Sequence, residues 1–123
     1  MILVDTSVWV DHLRAGDAAL SELLNGGMVL THPMVIGELA MGALRERKVV
    51  LHTLQNLPHA TVASDPEVLV FIDHEGLHGR GVGYIDAHLL AAVRLTPDTS
   101  LWTRDKKLLA VAIALSLSTA PRR

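Results

Sequence analysis

The amino-acid sequence predicts an α/β protein with a largely parallel sheet. Ile2-Leu3-Val4 is an uninterrupted aliphatic run before Asp5, which is typical of a strand covered on both faces. Strand-like and helix-like segments alternate along the rest of the chain with several short connections. Hydrophobic residues make up 50% of the chain but aromatic residues only 3%, so the core must be aliphatic, which suits helices packed on a sheet.

The first strand places Asp5 at its carboxyl end, which is where ligands gather in parallel sheets. Asp5 is therefore a candidate ligand residue. The alternative is that Asp5 or Thr6 only caps the helix that we expect over residues 7–13. A second helix is expected over residues 17–24, because its apolar residues have helical spacing and Asn25-Gly26-Gly27 ends it.

The alternation continues through the middle of the chain. Residues 28–31 read as a short strand, and Pro33 is well placed to begin a helix that contains Glu38. The expected apolar stripe of that helix consists of Val35, Ile36, Leu39, Ala40 and Ala43. A charged turn, residues 45–48, leads into a helix over residues 49–57, and Pro58 closes it.

The next segments are expected to be an edge strand and a capped helix. Residues 60–63 are the candidate edge strand. Ser64-Asp65-Pro66-Glu67 begins a helix that runs to about Glu75, either with Asp65 as the N-cap or with Ser64 and Glu67 as a capping box.

The last third opens with the glycine loop of residues 79–83, which leads into a helix over residues 84–93. The expected apolar face of this helix consists of Ile85, Leu89, Ala92 and Val93. Residues 100–103 form the last predicted strand, and a strongly apolar helix covers residues 108–115.

Length and composition limit the function classes. A chain of 123 residues fits one domain, residues 1–123, and the absence of cysteine rules out disulfides and thiolate metal sites. Asp5 interrupts the first apolar run too early for a signal peptide, and no apolar run is long enough for a membrane span, so we expect a cytoplasmic protein that makes no membrane contact. A net charge of -2 means that any nucleic acid must be held by local patches or by a metal.

His74-Glu75-Gly76-Leu77-His78 matches the H-E-x-x-H pattern of zinc proteases. That pattern requires a helix that holds both imidazoles on one face, whereas the glycines from Gly76 onward make this segment a poor helix. A third ligand is also missing. We therefore do not expect a zinc site here.

Four acidic residues are candidates for a common site: Asp5, Glu38, Asp86 and Asp105. Glu38 and Asp86 also have simpler interpretations. Glu38 could face solvent, and Asp86 could interact favourably with the dipole of its helix. If the first and last strands are neighbours, Asp5 and Asp105 converge on one edge of the sheet. Clustered carboxylates repel one another unless a divalent cation lies among them.

Ligands that are all oxygen favour Mg²⁺ or Mn²⁺ over zinc. Such a site polarises a phosphoryl oxygen and activates water for phosphodiester hydrolysis. The hydroxyls of Ser7 and Thr103 would orient a ligand carboxylate or a water behind the metal.

The ordered set of motifs resembles the PIN-domain nucleases. The residues that carry the resemblance are Asp5-Thr6-Ser7 after the first strand, Glu38 in the helix after the second, Tyr84-Ile85-Asp86-Ala87 and Thr103-Arg104-Asp105. The resemblance covers nearly the whole chain, and the length is similar to that of VapC-type toxins of toxin–antitoxin pairs. It implies a three-layer α/β/α sandwich with a central, mainly parallel sheet.

The resemblance also implies an activity and partners. Asp5, Glu38, Asp86 and Asp105 would bind one or two Mg²⁺ or Mn²⁺ ions, with Ser7 and Thr103 as polar helpers. The implied substrate is single-stranded RNA, often transfer or ribosomal RNA. The implied partners are a second copy in a homodimer and a cognate antitoxin whose tail fills the active-site groove.

Two surfaces are hypotheses. We expect Trp9 and the amino-terminal helices to contribute to a dimer or antitoxin surface. The candidates for RNA or antitoxin contact are Arg45, Arg47, Lys48, Arg80, Arg104, Lys106 and Lys107.

Two other function classes are open. A phosphotransferase with an Asp nucleophile, as in haloacid-dehalogenase-like proteins, would have Asp-x-Asp after the first strand, but position 7 is Ser. A non-catalytic RNA- or protein-binding module would use the acids only as helix caps, and its metal affinity would not depend on Asp5.

Overall fold

A computed structural model describes residues 1–119 and contains a parallel sheet of three strands. The central strand β1 (Ile2–Val4) pairs with β2 (Val29–Leu30) on one side and with β3 (Ser100–Trp102) on the other. All three residues of β1 are buried although neighbouring side chains point to opposite faces, so helices must cover both faces. The predicted α/β/α sandwich with a parallel sheet is confirmed.

Four helices lie in the first half of the chain, and aspartate side chains cap the first two. Asp5 caps α1 (Thr6–Ala15), and Asp17 caps α2 (Ala18–Asn25) through the amide of Leu20. The next two helices are α3 (Pro33–Ala40) and α4 (Arg47–Gln55). The predicted bounds differ by one to several residues: Ala43 lies beyond the end of α3, and α4 begins and ends two residues earlier than expected.

Three helices follow: α5 (Asp65–Glu75), α6 (Tyr84–Leu95) and α7 (Lys106–Ala114). The N-cap of α5 is Ser64, with Glu67 completing the capping box, so the second of the two predicted caps is present. Gly76 ends α5 with φ of 62°, a left-handed conformation that glycine adopts easily. His78 therefore lies outside the helix, and the two imidazoles of the H-E-x-x-H pattern do not share one helical face.

Two expectations are wrong. Residues 60–63 form no strand: the amide of Ala60 bonds to the carbonyl of Thr31, but the next amide bonds to the side chain of Thr96, so the ladder stops after one bridge. Trp9 is not part of a surface, because only 4% of it is exposed. Its ring packs in the core that α1 shares with the sheet.

Helix α6 lies at the centre of the molecule. Its residues are buried without interruption over Ala87, His88, Leu89, Leu90, Ala91, Ala92 and Val93. The sequence predicted a single apolar face, but alanine at three of these positions lets neighbouring elements approach every side of the helix. The firm placement of α6 matters because this helix carries Asp86.

Two buried histidines, His32 and His88, contact each other edge to face, with ring centroids 6.3 Å apart. The Nδ1 atom of His32 accepts the amide of Met34 and so caps α3. The Nε2 atom of His88 lies 3.0 Å from Oδ1 of Asp65, which also accepts the hydroxyl of Tyr84. Burial, followed by the neighbouring charges of His88 and His59, lowers the pKa of His32 to about 4.

None of the helices within residues 1–119 combines the length and the apolar character that crossing a membrane requires.

Candidate active site

The carboxylate of Asp5 lies at the carboxyl end of the central strand and is only 5% exposed. Its Oδ2 atom accepts hydrogen bonds from Oγ of Ser7 and Oγ1 of Thr103, both at 2.7 Å, and a longer one of 3.4 Å from the amide of Ser7. Parallel pairing of Val4 with Trp102 brings Thr103 opposite Asp5. The structure thus brings together Asp5 and the two hydroxyls that the sequence indicated.

Asp105 follows the neighbouring strand β3. Its amide donates to Oγ1 of Thr103 at 3.1 Å, and its Oδ1 atom accepts the amide of Leu108, which makes Asp105 the N-cap of α7. The hydroxyl of Thr103 therefore links the backbone of Asp105 to the carboxylate of Asp5. Unlike Asp5, Asp105 is exposed.

Glu38 projects from α3 and is exposed, but it does not simply face solvent. Its Oε1 atom accepts a 2.7 Å hydrogen bond from Oγ1 of Thr6, the residue after Asp5. Sequence reasoning missed Thr6 as a site residue. Its place between Asp5 and Ser7 was the available signal, but no local pattern pointed to Glu38 as its partner.

Asp86 lies in the first turn of α6, where its Oδ2 atom accepts the amide of Gly83 at 3.0 Å. Partial burial raises the pKa of Asp86 above its ordinary value. The hydrogen bond from Gly83 acts in the opposite direction, and the negative charges of Asp5, Asp105 and Glu38 raise the pKa further. All four acids that the sequence singled out thus lie within electrostatic reach of one another.

The four carboxylates share one arrangement. In each, one oxygen is fixed by a protein donor, and the other accepts no hydrogen bond from residues 1–119. Asp5 lies deepest, Asp86 is half-buried, and Glu38 and Asp105 are at the exposed rim. Oriented carboxylate oxygens of this kind are the ligands that hard divalent cations prefer.

The carboxylates nevertheless do not form a ready-made metal site. Within residues 1–119, no group of three or more His, Cys, Asp or Glu side chains is placed to hold a metal ion as it stands. Asp86 senses the other three charges, but mutual repulsion favours separation of these side chains. The arrangement is an electrostatic cluster at one sheet edge. Rotation of the side chains would bring the free carboxylate oxygens together around a cation.

Comparison with known proteins agrees with this geometry. The model of the PIN domain matches residues 2–114. The chain is 48% identical over 120 residues to proteins named Ribonuclease VapC32 from two strains of Mycobacterium tuberculosis, CDC 1551 and H37Rv. Each alignment covers 98% of this chain and 97% of the relative. The protein therefore belongs to the PIN-domain family.

Proposed function

We propose that this protein is a metal-dependent endoribonuclease that acts as the toxin of a toxin–antitoxin pair. Its substrate is single-stranded RNA, including the unpaired parts of structured RNA such as transfer or ribosomal RNA. The observation that carries this proposal is the cluster of four carboxylates with one oxygen fixed and one free in each. The names of the relatives, which are ribonucleases, support the same activity.

Asp5, Glu38, Asp86 and Asp105 are the residues that would hold Mg²⁺ or Mn²⁺. The fit follows from the donor set, which is all oxygen and carries four like charges whose repulsion one or two divalent cations would offset. Burial raises the pKa of Asp86, and the negative charges of Asp5, Asp105 and Glu38 raise it further, so a nearby cation would favour its ionised form. The chemistry that such a cation supplies is polarisation of a phosphoryl oxygen and activation of water.

The remaining residues act by orienting the acids. Ser7 and Thr103 donate to one oxygen of Asp5, so its other oxygen is directed away from them. Thr6 does the same for Glu38, and the amide of Gly83 does so for Asp86. Partners of this kind fix the direction of a ligand before the cation arrives.

We also propose the antitoxin partner and the cytoplasmic location that this function requires. A cavity of about 670 Å³ opens beside Glu38 and Thr6. Its apolar lining includes Val10, Leu13, Leu39, Leu44 and Val50. An inhibitory segment with apolar side chains would fit there and would block the approach to Glu38.

A homodimer is part of the same proposal. With Trp9 buried, the apolar surface that supports it lies instead on α5 and α6, where Leu69, Val70 and Leu95 are exposed. Beside them lies an apolar groove of about 440 Å³ that includes Phe71 and Ala91. Sedimentation of the pure protein would refute the homodimer if it shows only a monomer at micromolar concentration.

The decisive experiment is cleavage of a labelled RNA mixture with Mg²⁺, with Mn²⁺ and with EDTA. Asp86→Ala is compared with Asp73→Ala, which removes an exposed acid of α5 outside the cluster. We expect cutting that depends on metal, is lost in Asp86→Ala and persists in Asp73→Ala. Equal cutting by both variants would reveal a contaminating nuclease and would count against the proposed site.

The alternative function, a non-catalytic RNA- or protein-binding module, has one observation in its favour. Asp5 and Asp105 both cap helices, which is a sufficient structural role for an acid at those positions. Absence of metal-dependent cleavage, together with unchanged metal affinity in Asp5→Ala, would favour this alternative.

A further inference from the structure

The positive charges of residues 1–119 fall into two groups. Arg14, Arg94 and Arg104 form ion pairs with carboxylates. The other cations in this part of the chain have no acidic partner within salt-bridge distance; they are Arg45, Arg47, Lys48, Arg80, Lys106 and Lys107. Six of the seven cations that the sequence suggested for RNA or antitoxin contact are thus without a carboxylate partner.

Two residues are set apart by their contacts. Arg104 bonds to Asp11 and Asp17 and stacks over the ring of Trp102, so it ties α1 and α2 to the end of β3. Arg47 donates to the carbonyl of Ala40 and thereby caps the end of α3. The five that remain, Arg45, Lys48, Arg80, Lys106 and Lys107, are called the cationic rim below.

One arm of the cationic rim lies beside Glu38. Arg45 lines the same cavity as Glu38 and Thr6, and Lys48 follows it in the first turn of α4. Both side chains belong to exposed residues. This arm therefore approaches the carboxylate cluster from the side of α3 and α4.

The other arm lies beside Asp105 and Asp86. Lys106 and Lys107 directly follow Asp105 in the first turn of α7. The side chain of Lys107 lies against Gly81, where an added Cβ would be only 2.9 Å from Cδ of the lysine. Glycine at this position thus lets Lys107 reach the loop that contains Arg80. The same loop contacts Asp86 through the amide of Gly83.

The placement of these lysines opposes the local preference of a helix. A cation in the first turn is disfavoured by the helix dipole, and the acidic N-caps Glu46 of α4 and Asp105 of α7 offset this locally. Two such arms on opposite sides of an acidic cluster favour an extended polyanion that crosses the cluster.

We propose that the cationic rim binds the phosphates of one RNA strand, with Arg45 and Lys48 on one side of the scissile bond and Arg80, Lys106 and Lys107 on the other. This inference rests on the proposed ribonuclease function. Contacts to phosphate position the strand and do not read bases, so the cationic rim sets affinity and direction and leaves the choice of sequence to other residues.

The test is the salt dependence of RNA binding in an Asp86→Asn background, in which the RNA stays intact. Binding of a fluorescein-labelled single-stranded RNA is measured by anisotropy from about 50 to 300 mM KCl. This range brackets the salt concentration of about 0.1 M, at which the Debye length is about 10 Å. The variants are the doubles Lys106→Gln/Lys107→Gln and Arg45→Gln/Lys48→Gln. The matched control is Arg14→Gln, which lines the same cavity as Arg45 but is paired with Asp11.

Each double variant should lower the slope of log Kd against log salt by about 1.4, since one phosphate contact on a single strand contributes about 0.7. Arg14→Gln should leave the slope unchanged. Thermal melts establish that each variant is folded before its slope is compared.

Unchanged slopes in both doubles would overturn the inference. It would also be overturned if the doubles keep their RNA affinity but no longer hold an acidic protein partner, because the surface would then serve that partner. If the unaltered protein neither cuts nor binds any RNA, the proposed function itself fails, an outcome distinct from normal cutting with unchanged slopes.

Discussion

The hydroxyl of Thr6 donates a 2.7 Å hydrogen bond to Oε1 of Glu38 and so joins the start of α1 to α3. Because Thr6 follows Asp5 directly, one short segment positions two acids of the cluster. Asp5 belongs to this segment, and Glu38 is bound by the hydroxyl of Thr6. The relative position of these carboxylates therefore depends on a single side-chain contact between two helices.

Thr6→Val should weaken Mn²⁺ binding and cleavage by about 10-fold to 100-fold, which is the usual effect of removing a group that orients a metal ligand. Stability should change little, because the lost bond is exposed. Calorimetric titration with Mn²⁺ measures the affinity independently of activity. Thr6→Ser keeps the hydroxyl and should restore binding; equal affinity of Thr6→Val and the unaltered protein would contradict this role.

Asp86→Asn should raise the melting temperature in EDTA at neutral pH while cleavage falls by about 100-fold or more. The raised pKa means that ionised Asp86 destabilises the fold, so its favourable contribution is present only at low pH and is lost as pH rises through the folded-state pKa. Mg²⁺ should stabilise the unaltered protein more than this variant.

Thermal melts from about pH 3 to about pH 8 test this prediction, with Asp73→Asn as the exposed control. The range includes the ordinary pKa of Asp, about 4, and neutral pH. The gain in Asp86→Asn should disappear at the acid end. A variant that melts lower than the unaltered protein at pH 7 would show that Asp86 stabilises the fold. We expect Asp5→Asn likewise to abolish cleavage with the fold intact or more stable.

Acid should destabilise the protein through His32. Its pKa falls from 6.5 to about 4 on folding, so the stability that its neutral form contributes is complete above pH 6.5 and is lost as pH falls to 4. The loss amounts to about 3 kcal/mol. His32→Asn removes this titration while its side-chain oxygen can still cap α3.

Urea unfolding compares His32→Asn with His78→Asn, which changes an exposed histidine. The measurements are made at about pH 7, 5.5 and 4.5, on both sides of the ordinary His pKa of about 6.5. Parallel loss of stability in His32→Asn and the unaltered protein would show that other groups cause the acid sensitivity.

Arg104→Gln should lower stability and leave the salt slope of RNA binding unchanged. The guanidinium bridges Asp11 and Asp17 and lowers the pKa of the Asp11 carboxyl, and the two acids raise the pKa of Arg104. The pKa of Asp17 is lowered first by the amide of Leu20 and then by Arg104. The variant leaves both acids without this partner. A thermal melt and the anisotropy assay described above measure the two effects, and a slope as low as that of Lys106→Gln/Lys107→Gln would assign Arg104 to RNA instead.

The sequence predicted correctly the elements that are determined by a few neighbouring residues. The run Ile2-Leu3-Val4, the capping box of Ser64 and Glu67, and the glycine after α5 each act over a few residues, and each was placed correctly. The pairing of β1 with β3 was only a condition under which Asp5 and Asp105 would converge, and the structure meets that condition.

What the sequence did not reveal depends on contacts between distant segments. Thr6 has meaning only once α1 packs beside α3, and Arg104 is removed from the candidate RNA contacts only by Asp11 and Asp17. The failed strand at residues 60–63 shows the same limit, since its pairing ends where Thr96 supplies a competing hydrogen bond. Burial of every side of α6 likewise requires neighbours that no helical period can show.

The bond from Thr103 to Asp5 spans 98 positions of the chain. A ribosome must therefore release nearly the whole polypeptide before the deepest carboxylate acquires its second hydroxyl and before Asp105 can join the cluster. A nascent chain that stops short of β3 carries Asp5, Glu38 and Asp86 without the strand that assembles them. The topology thus delays assembly of the carboxylate cluster until synthesis of the chain is almost complete.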